Sequence, residues 1–142
     1  MSFFNSTRDS INQLIFDDEN RKISLFLKRE DLLHPQVSGN KFRKLKYNLS
    51  CAASEGYTQL LTYGGAYSNH IAATAKAGQI EGFKTIGIIR GEELATDIDR
   101  TLMHNETLRF AKQCGMKFHF VSRESYREKG SAIFKKSMTD KI

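Results

Sequence analysis

The sequence predicts an α/β protein, a parallel sheet of βαβ units. Three observations carry that expectation. Short apolar runs, Leu60-Leu61 and Ile86-Gly87-Ile88-Ile89 among them, alternate with amphipathic stretches. Each such stretch from Lys41 onward stops at or just before a glycine: Gly56, Gly82 or Gly115. The runs are apolar on successive residues rather than alternate ones, as in strands covered on both faces. Strands of that kind joined by helices form right-handed crossovers.

Residues 10–16 place Ile11, Leu14 and Ile15 at i, i+3 and i+4, which predicts a short helix. Asp17 to Asn20 is a polar turn. Ile23, Leu25 and Leu27 then alternate with Ser24, Phe26 and Lys28, a strand pattern in which Phe26 interrupts the polar side, so both sides are expected to be covered. Lys28-Arg29-Glu30-Asp31 closes it, and Pro35 keeps His34 out of the helical region.

Ser38 or Asn40 can cap a helix from Lys41 to Ser54, with Phe42, Leu45, Leu49 and Ala53 on its apolar face. Lys41, Lys44 and Asn48 fall close in angle on another face. There follow a strand over 58–63, a helix over 68–79, a strand over 85–89, a helix over 101–113 and a strand over 117–121. The helix over 101–113 turns Leu102, Leu108 and Ala111 inward. Ser122 to Ser125 begins a further helix around Tyr126, and after Gly130 the pattern fades.

A chain of 142 residues with 39% apolar content can bury one domain's core. Its single proline and lack of any repeat argue against a linker-rich array or a solenoid. The net charge of +6 draws anions, but basic and acidic residues are interleaved and no zinc, RNP or helix-turn-helix pattern occurs, so nucleic acid is not the expected partner. The two cysteines, Cys51 and Cys114, fall on predicted helices as small buried apolar groups rather than as a disulfide. Neither CxxC nor HExxH occurs, so no metal site is expected. No segment approaches the ~20 apolar residues of a membrane span, and no leader pattern opens the chain, so the expected compartment is the cytoplasm.

Two glycine turns carry the chemistry. Ser38-Gly39-Asn40-Lys41 opens a basic helix, and Gly64-Gly65-Ala66-Tyr67-Ser68-Asn69-His70 lies beyond the carboxyl end of a strand, where ligands of parallel sheets bind. Glycine lets a ligand approach the backbone, and Ser68, Asn69 and His70 offer a hydroxyl, an amide and an imidazole. Ser68 as a plain N-cap and Asn69 as a turn residue remain the alternative reading. Lys41 sits at the mouth of its helix beside Arg43 and Lys44, a setting that favours a nucleophilic amine able to condense with an aldehyde.

These two turns, together with Leu27-Lys28-Arg29-Glu30-Asp31-Leu32, resemble the 1-aminocyclopropane-1-carboxylate deaminase and D-cysteine desulfhydrase family, from about Ile23 to Ser122. The resemblance implies pyridoxal phosphate as cofactor and a tryptophan synthase β-like fold (fold type II), here incomplete. By it, Lys41 holds the cofactor as an internal aldimine, Lys44 lies near its phosphate, Asn69 bonds the pyridine hydroxyl and Ser68 assists at the substrate. His70 leans toward the D-cysteine branch. The expected substrate is a small amino acid of the D-cysteine or 1-aminocyclopropane-1-carboxylate type.

On the same footing, residues 1–37 belong to a larger cofactor domain, 38–127 form a three-layer core and 128–142 are a disordered or truncated tail. The family's glycine-rich phosphate loop has no counterpart here, so a fragment is expected. Its uncovered apolar faces favour a homo-oligomer or a complementing C-terminal half as partner. A non-catalytic remnant or a small anion-binding α/β module is the competing reading.

Overall fold

The computed structural model describes residues 2–5 and 9–140. At its centre is a parallel three-stranded sheet, β3 (Gln59–Gly65), β4 (Lys84–Arg90) and β5 (Lys117–Val121), in that order. The register pairs Thr62 with Gly87 and Gly87 with Phe118. The α/β class read from the sequence is the class observed. β4 is apolar on successive residues because it is covered on both faces: Ile89 packs with Ile71, Leu108 and Met116, whereas Ile86 and Ile88 pack with Val121, Phe134 and Met138.

The helices follow from those faces. α1 (Gly39–Ser54) buries Phe42, Leu45 and Leu49 against Ala73 and Ala77 of α2 (Asn69–Glu81), in a cluster that also holds Phe4, Leu33 and Val37. The small side chains on α2 let the two helices approach closely. α2 ends at Gly82 in the left-handed conformation, as a glycine stop should.

Four expectations are corrected. Residues 10–16 do not form a helix: Asn12–Asp18 is β1, antiparallel to β2 (Ile23–Lys28). The cause is a register shift between Leu14 and Phe16 that admits one extra residue, so Leu14 faces Phe26 and Phe16 faces Leu25. Three consecutive apolar residues thereby fit a strand and imitate a helical spacing. Nor is this hairpin covered on both sides, since Leu25 is 53% exposed and Phe26 57%.

The helix expected over 101–113 is two, α3 (Ile98–His104) and α4 (Glu106–Gln113). Asn105 adopts extended backbone between them, and its buried side chain accepts from the Leu108 amide at 2.9 Å, a cap inside what the pattern reads as one helix. Cys51 is exposed rather than buried, its Sγ 3.0 Å from Glu55 Oε1, while Cys114 is buried.

α5 (Arg123–Arg127) lies where a helix was expected. Beyond Gly130, where no period was legible, Ala132–Thr139 forms α6 with Phe134 and Met138 buried one turn apart. Among the described residues no helix is long and apolar enough to cross a membrane, and none groups three potential metal ligands.

Candidate active site

Two approaches of the chain build the site. The first is the loop into α1. His34 Nδ1 accepts from the amides of Gln36 and Val37 at 3.1 and 3.0 Å, and Val37 is fully buried, so hydrogen bonds and packing both hold the loop. Burial, then the charge of Lys76, lowers the His34 ring below its usual value, consistent with an unprotonated acceptor nitrogen. Gly39 takes φ +58°, the left-handed region that a side chain would strain, and turns the chain into the helix. The amides of Lys41 and Phe42 then donate to the Ser38 carbonyl at 3.3 and 3.4 Å. Lys41 Nζ donates to Asn40 Oδ1 at 2.8 Å.

α1 is held in place from its exposed side as well. The Arg43 guanidinium donates twice to Glu30, at 2.9 Å each, and these bonds keep the Glu30 carboxyl at about 2, against desolvation that works the other way. Glu30 belongs to a 3-10 turn, Glu30–Leu32, directly after β2. The pair therefore fastens the hairpin end of the chain to the helix that carries Lys41.

The second approach is the turn from β3 into α2. A Cβ on Gly64 would lie 2.5 Å from Ile71 Cγ1, so only glycine lets the strand end pack against the helix it leads into. At Gly65 nothing lies within 4 Å of such a Cβ, which leaves open space on that side of the turn. Ser68 occupies the N-cap position, and its carbonyl accepts from the Ala72 amide at 3.3 Å, but its hydroxyl makes no capping bond. The plain N-cap reading thus accounts for the backbone of Ser68 and not for its side chain.

Lys41 and Asn69 come together. They line one hollow of about 420 Å³ with Gln36, Ser38 and Asn40. Lys44 and His70 line a different hollow, of about 310 Å³, with Asn48 and Thr74, and the two hollows share no lining residue. The helical angle that groups Lys41 with Lys44 and Asn48 is silent on what packs against each turn, and here each turn of α1 meets a different part of α2 and β3. His70 senses both lysines: burial first, then Lys41, then Lys44, lowers its ring below the usual value. Sequence reasoning passed over Gln36 and Thr74. Thr74 stands four residues after His70 on α2, a spacing that puts both on one face.

No family model matches the chain. It is similar to the bifunctional D-cysteine desulfhydrase/1-aminocyclopropane-1-carboxylate deaminase, mitochondrial, of Arabidopsis thaliana. The two are 32% identical over 118 residues, which is 83% of this chain and 29% of that protein. The chain belongs with the 1-aminocyclopropane-1-carboxylate deaminase and D-cysteine desulfhydrase family. A second relative of this deaminase/desulfhydrase family, named "Putative 1-aminocyclopropane-1-carboxylate deaminase", comes from Pyrococcus abyssi. It is 39% identical over 72 residues, 51% of this chain and 22% of that protein. A solved structure described as an ACC deaminase homologue aligns over 87% of this chain and 45% of its own, at 25% identity and a TM-score of 0.46. The chain thus spans 29% and 22% of the length of these two deaminase/desulfhydrase relatives.

Proposed function

We propose that this chain supplies one wall of a pyridoxal phosphate-dependent deaminase or desulfhydrase site for a small amino acid of the D-cysteine or 1-aminocyclopropane-1-carboxylate type, with Lys41 holding the cofactor covalently. The observation that carries this reading is the shared hollow: an amine from α1 and an amide from α2 face one space large enough for a substituted pyridine ring. The residues present fit the group. Asn40 already holds the Lys41 amine by one bond, and Asn69 offers both a donor and an acceptor to a ring hydroxyl.

Pyridoxal phosphate, when bound, supplies an electron sink for a carbanion beside the substrate's amino group. The chain's own residues do the rest. Lys41 tethers the aldehyde and carries a proton at Nζ. Ser68, its hydroxyl not engaged in capping, assists at the substrate. Lys44 acts on the cofactor phosphate through its charge and His70 on the same site as a hydrogen-bond donor, both from the adjoining hollow rather than by lining the space around Lys41.

The hollow around Lys41 contains no carboxylate and no tyrosine among the described residues that line it. Turnover by these 142 residues alone is therefore expected to be slight, with the missing acidic and aromatic groups coming from a second copy or a complementing C-terminal half. Incubation with pyridoxal phosphate, borohydride reduction and peptide mapping test the assignment. A single reduced adduct on Lys41, lost in Lys41→Ala, is expected. Label spread evenly over the surface lysines, or fixed on Lys44 instead, would remove Lys41 from its role.

A further inference from the structure

The hollow beside Lys44 holds a feature that the reading above leaves unused. Thr74 is 3% exposed, lines that hollow, and its Oγ1 is the one buried side-chain oxygen or nitrogen without a hydrogen-bond partner among the described residues. A threonine inside a helix ordinarily donates to the carbonyl four residues back, which here would be that of His70. Thr74 does not. A buried hydroxyl left without a partner is unfavourable, and the cost is recovered when a ligand oxygen accepts a hydrogen bond from it.

The groups around it are complementary to each other. Lys44 brings an ammonium and His70 an imidazole whose surroundings favour the neutral ring, so each can donate to an oxyanion. Apart from Thr62 and Asn48, whose amide is spent on the Lys44 carbonyl, the rest of the wall is apolar: Leu45 and Leu49 from α1, and Leu60 and Leu61 from β3, with Leu61 40% exposed. Three donors thus lie at one hollow with a leucine floor. A bare inorganic anion would leave that floor in water, and a neutral apolar molecule would leave Thr74 and Lys44 unused.

We infer that this second hollow binds a small carboxylate with an aliphatic body, its carboxylate received by Lys44, His70 and Thr74 and its chain laid on the leucines. The hollow shares no lining residue with the one around Lys41; Lys44 and His70 are also the residues proposed above to act on the cofactor, whereas Thr74 and the leucines belong to this site alone.

The test is titration of the full 142-residue chain with hexanoate while the His70 ring resonance is followed by NMR, the signal being assigned among the four histidines by its loss in His70→Gln. A saturable shift in the low millimolar range is expected, weakened about 10-fold or more in Thr74→Val, which removes one hydrogen bond to a charged group. Thr74→Val replaces an unpartnered hydroxyl with a methyl of the same shape, so it should fold, and its thermal midpoint should equal or exceed that of the parent chain. Lys44→Met, altering an exposed side chain, gives a second loss of binding by a different route.

Inorganic phosphate and hexylamine complete the comparison. Phosphate binding as tightly as hexanoate would overturn the role of the leucine floor, and hexylamine binding equally well would overturn the carboxylate. No saturable shift, or an undiminished one in Thr74→Val, would overturn the site. Hexanoate binding retained in Lys41→Ala would separate this site from the cofactor proposal, whose failure would show in the borohydride experiment alone.

Discussion

Asn40 Oδ1 accepts the hydrogen bond that Lys41 Nζ donates, at 2.8 Å, so the amine proposed to capture an aldehyde is steered by the residue just before it. Neutral amide and charged carboxylate should act oppositely there. Asn40→Ala frees the side chain and is expected to slow capture of pyridoxal phosphate several-fold through lost positioning. Asn40→Asp places a carboxylate on the amine, stabilises its protonated form and should slow capture further, with recovery as pH rises. Stopped-flow absorbance of the captured cofactor distinguishes the two, and equal rates in all three chains would deny Asn40 any part.

Arg43 and Glu30 join α1 to the end of β2 by two bonds of 2.9 Å. A carboxyl held below its ordinary value contributes stability that is complete above that value and is lost as pH falls toward the lowered one. For Glu30 the window runs from 4.5 down to about 2. The thermal midpoint of the parent chain should fall more steeply across that window than the midpoint of Arg43→Met. Because the pair is largely exposed, salt should narrow the difference. Parallel profiles would mean that the pair contributes nothing to the fold.

Much of this arrangement could be read in advance because parallel crossovers leave few choices. Once β3, α2 and β4 are recognised, the turn from Gly64 to His70 must lie at the carboxyl ends of the strands. Gly64 itself advertises the close approach to Ile71. What escaped reading has specific causes. Ile11, Leu14 and Ile15 satisfy a helical spacing only because the register shift after Leu14 hides the alternation of β1. Asn105 is an ordinary helix residue by pattern, and only its buried bond to Leu108 reveals the break. Phe134 and Met138 lie one turn apart, but Lys135 and Lys136 mask the stripe until Ile88 and Val121 provide a surface for it. Lys41 and Lys44 separate because helical angle is blind to the neighbour each turn will meet.

Gly64→Ala should be costly and Gly65→Ala nearly silent. The added methyl at Gly64 meets Ile71 Cγ1 at 2.5 Å and Cδ1 at 2.9 Å, in a helix that cannot retreat because Ile71 is fully buried. Overpacking of this kind costs about 1–3 kcal/mol. The shift falls on the first turn of α2, which carries Asn69, so cofactor capture should weaken together with stability. At Gly65 the methyl meets nothing within 4 Å. Urea denaturation of both variants measures the contrast, and equal midpoints would sink the packing argument.

Asn105→Ala removes the oxygen that caps α4 and leaves the Leu108 amide buried without its acceptor. A loss of about 0.5–2 kcal/mol is expected, the range for N-cap substitutions. Asn105→Asp and Asn105→Ser keep an acceptor and should keep most of the stability. If alanine and aspartate prove equivalent by chemical denaturation, the break between α3 and α4 does not depend on this bond.

His70 should report the charge of the whole site. Burial, Lys41 and Lys44, in that order, lower its ring below the ordinary value of 6.5. The unfolded chain therefore takes up a proton near 6.5 while the folded chain resists until lower pH, and the fold loses support as pH drops through that range. Lys44→Met removes one like charge and should raise the ring's midpoint in an NMR titration. Lys41→Ala should raise it more, because Lys41 lowers the ring by more than Lys44 does although it lines a separate hollow. His70→Gln should flatten the dependence of the thermal midpoint on pH below 6.5, leaving the part that belongs to His34, whose ring burial also lowers. An unmoved midpoint in both lysine variants would mean that burial alone sets the ring, and that neither amine stands close enough to His70 to act on a ligand beside it.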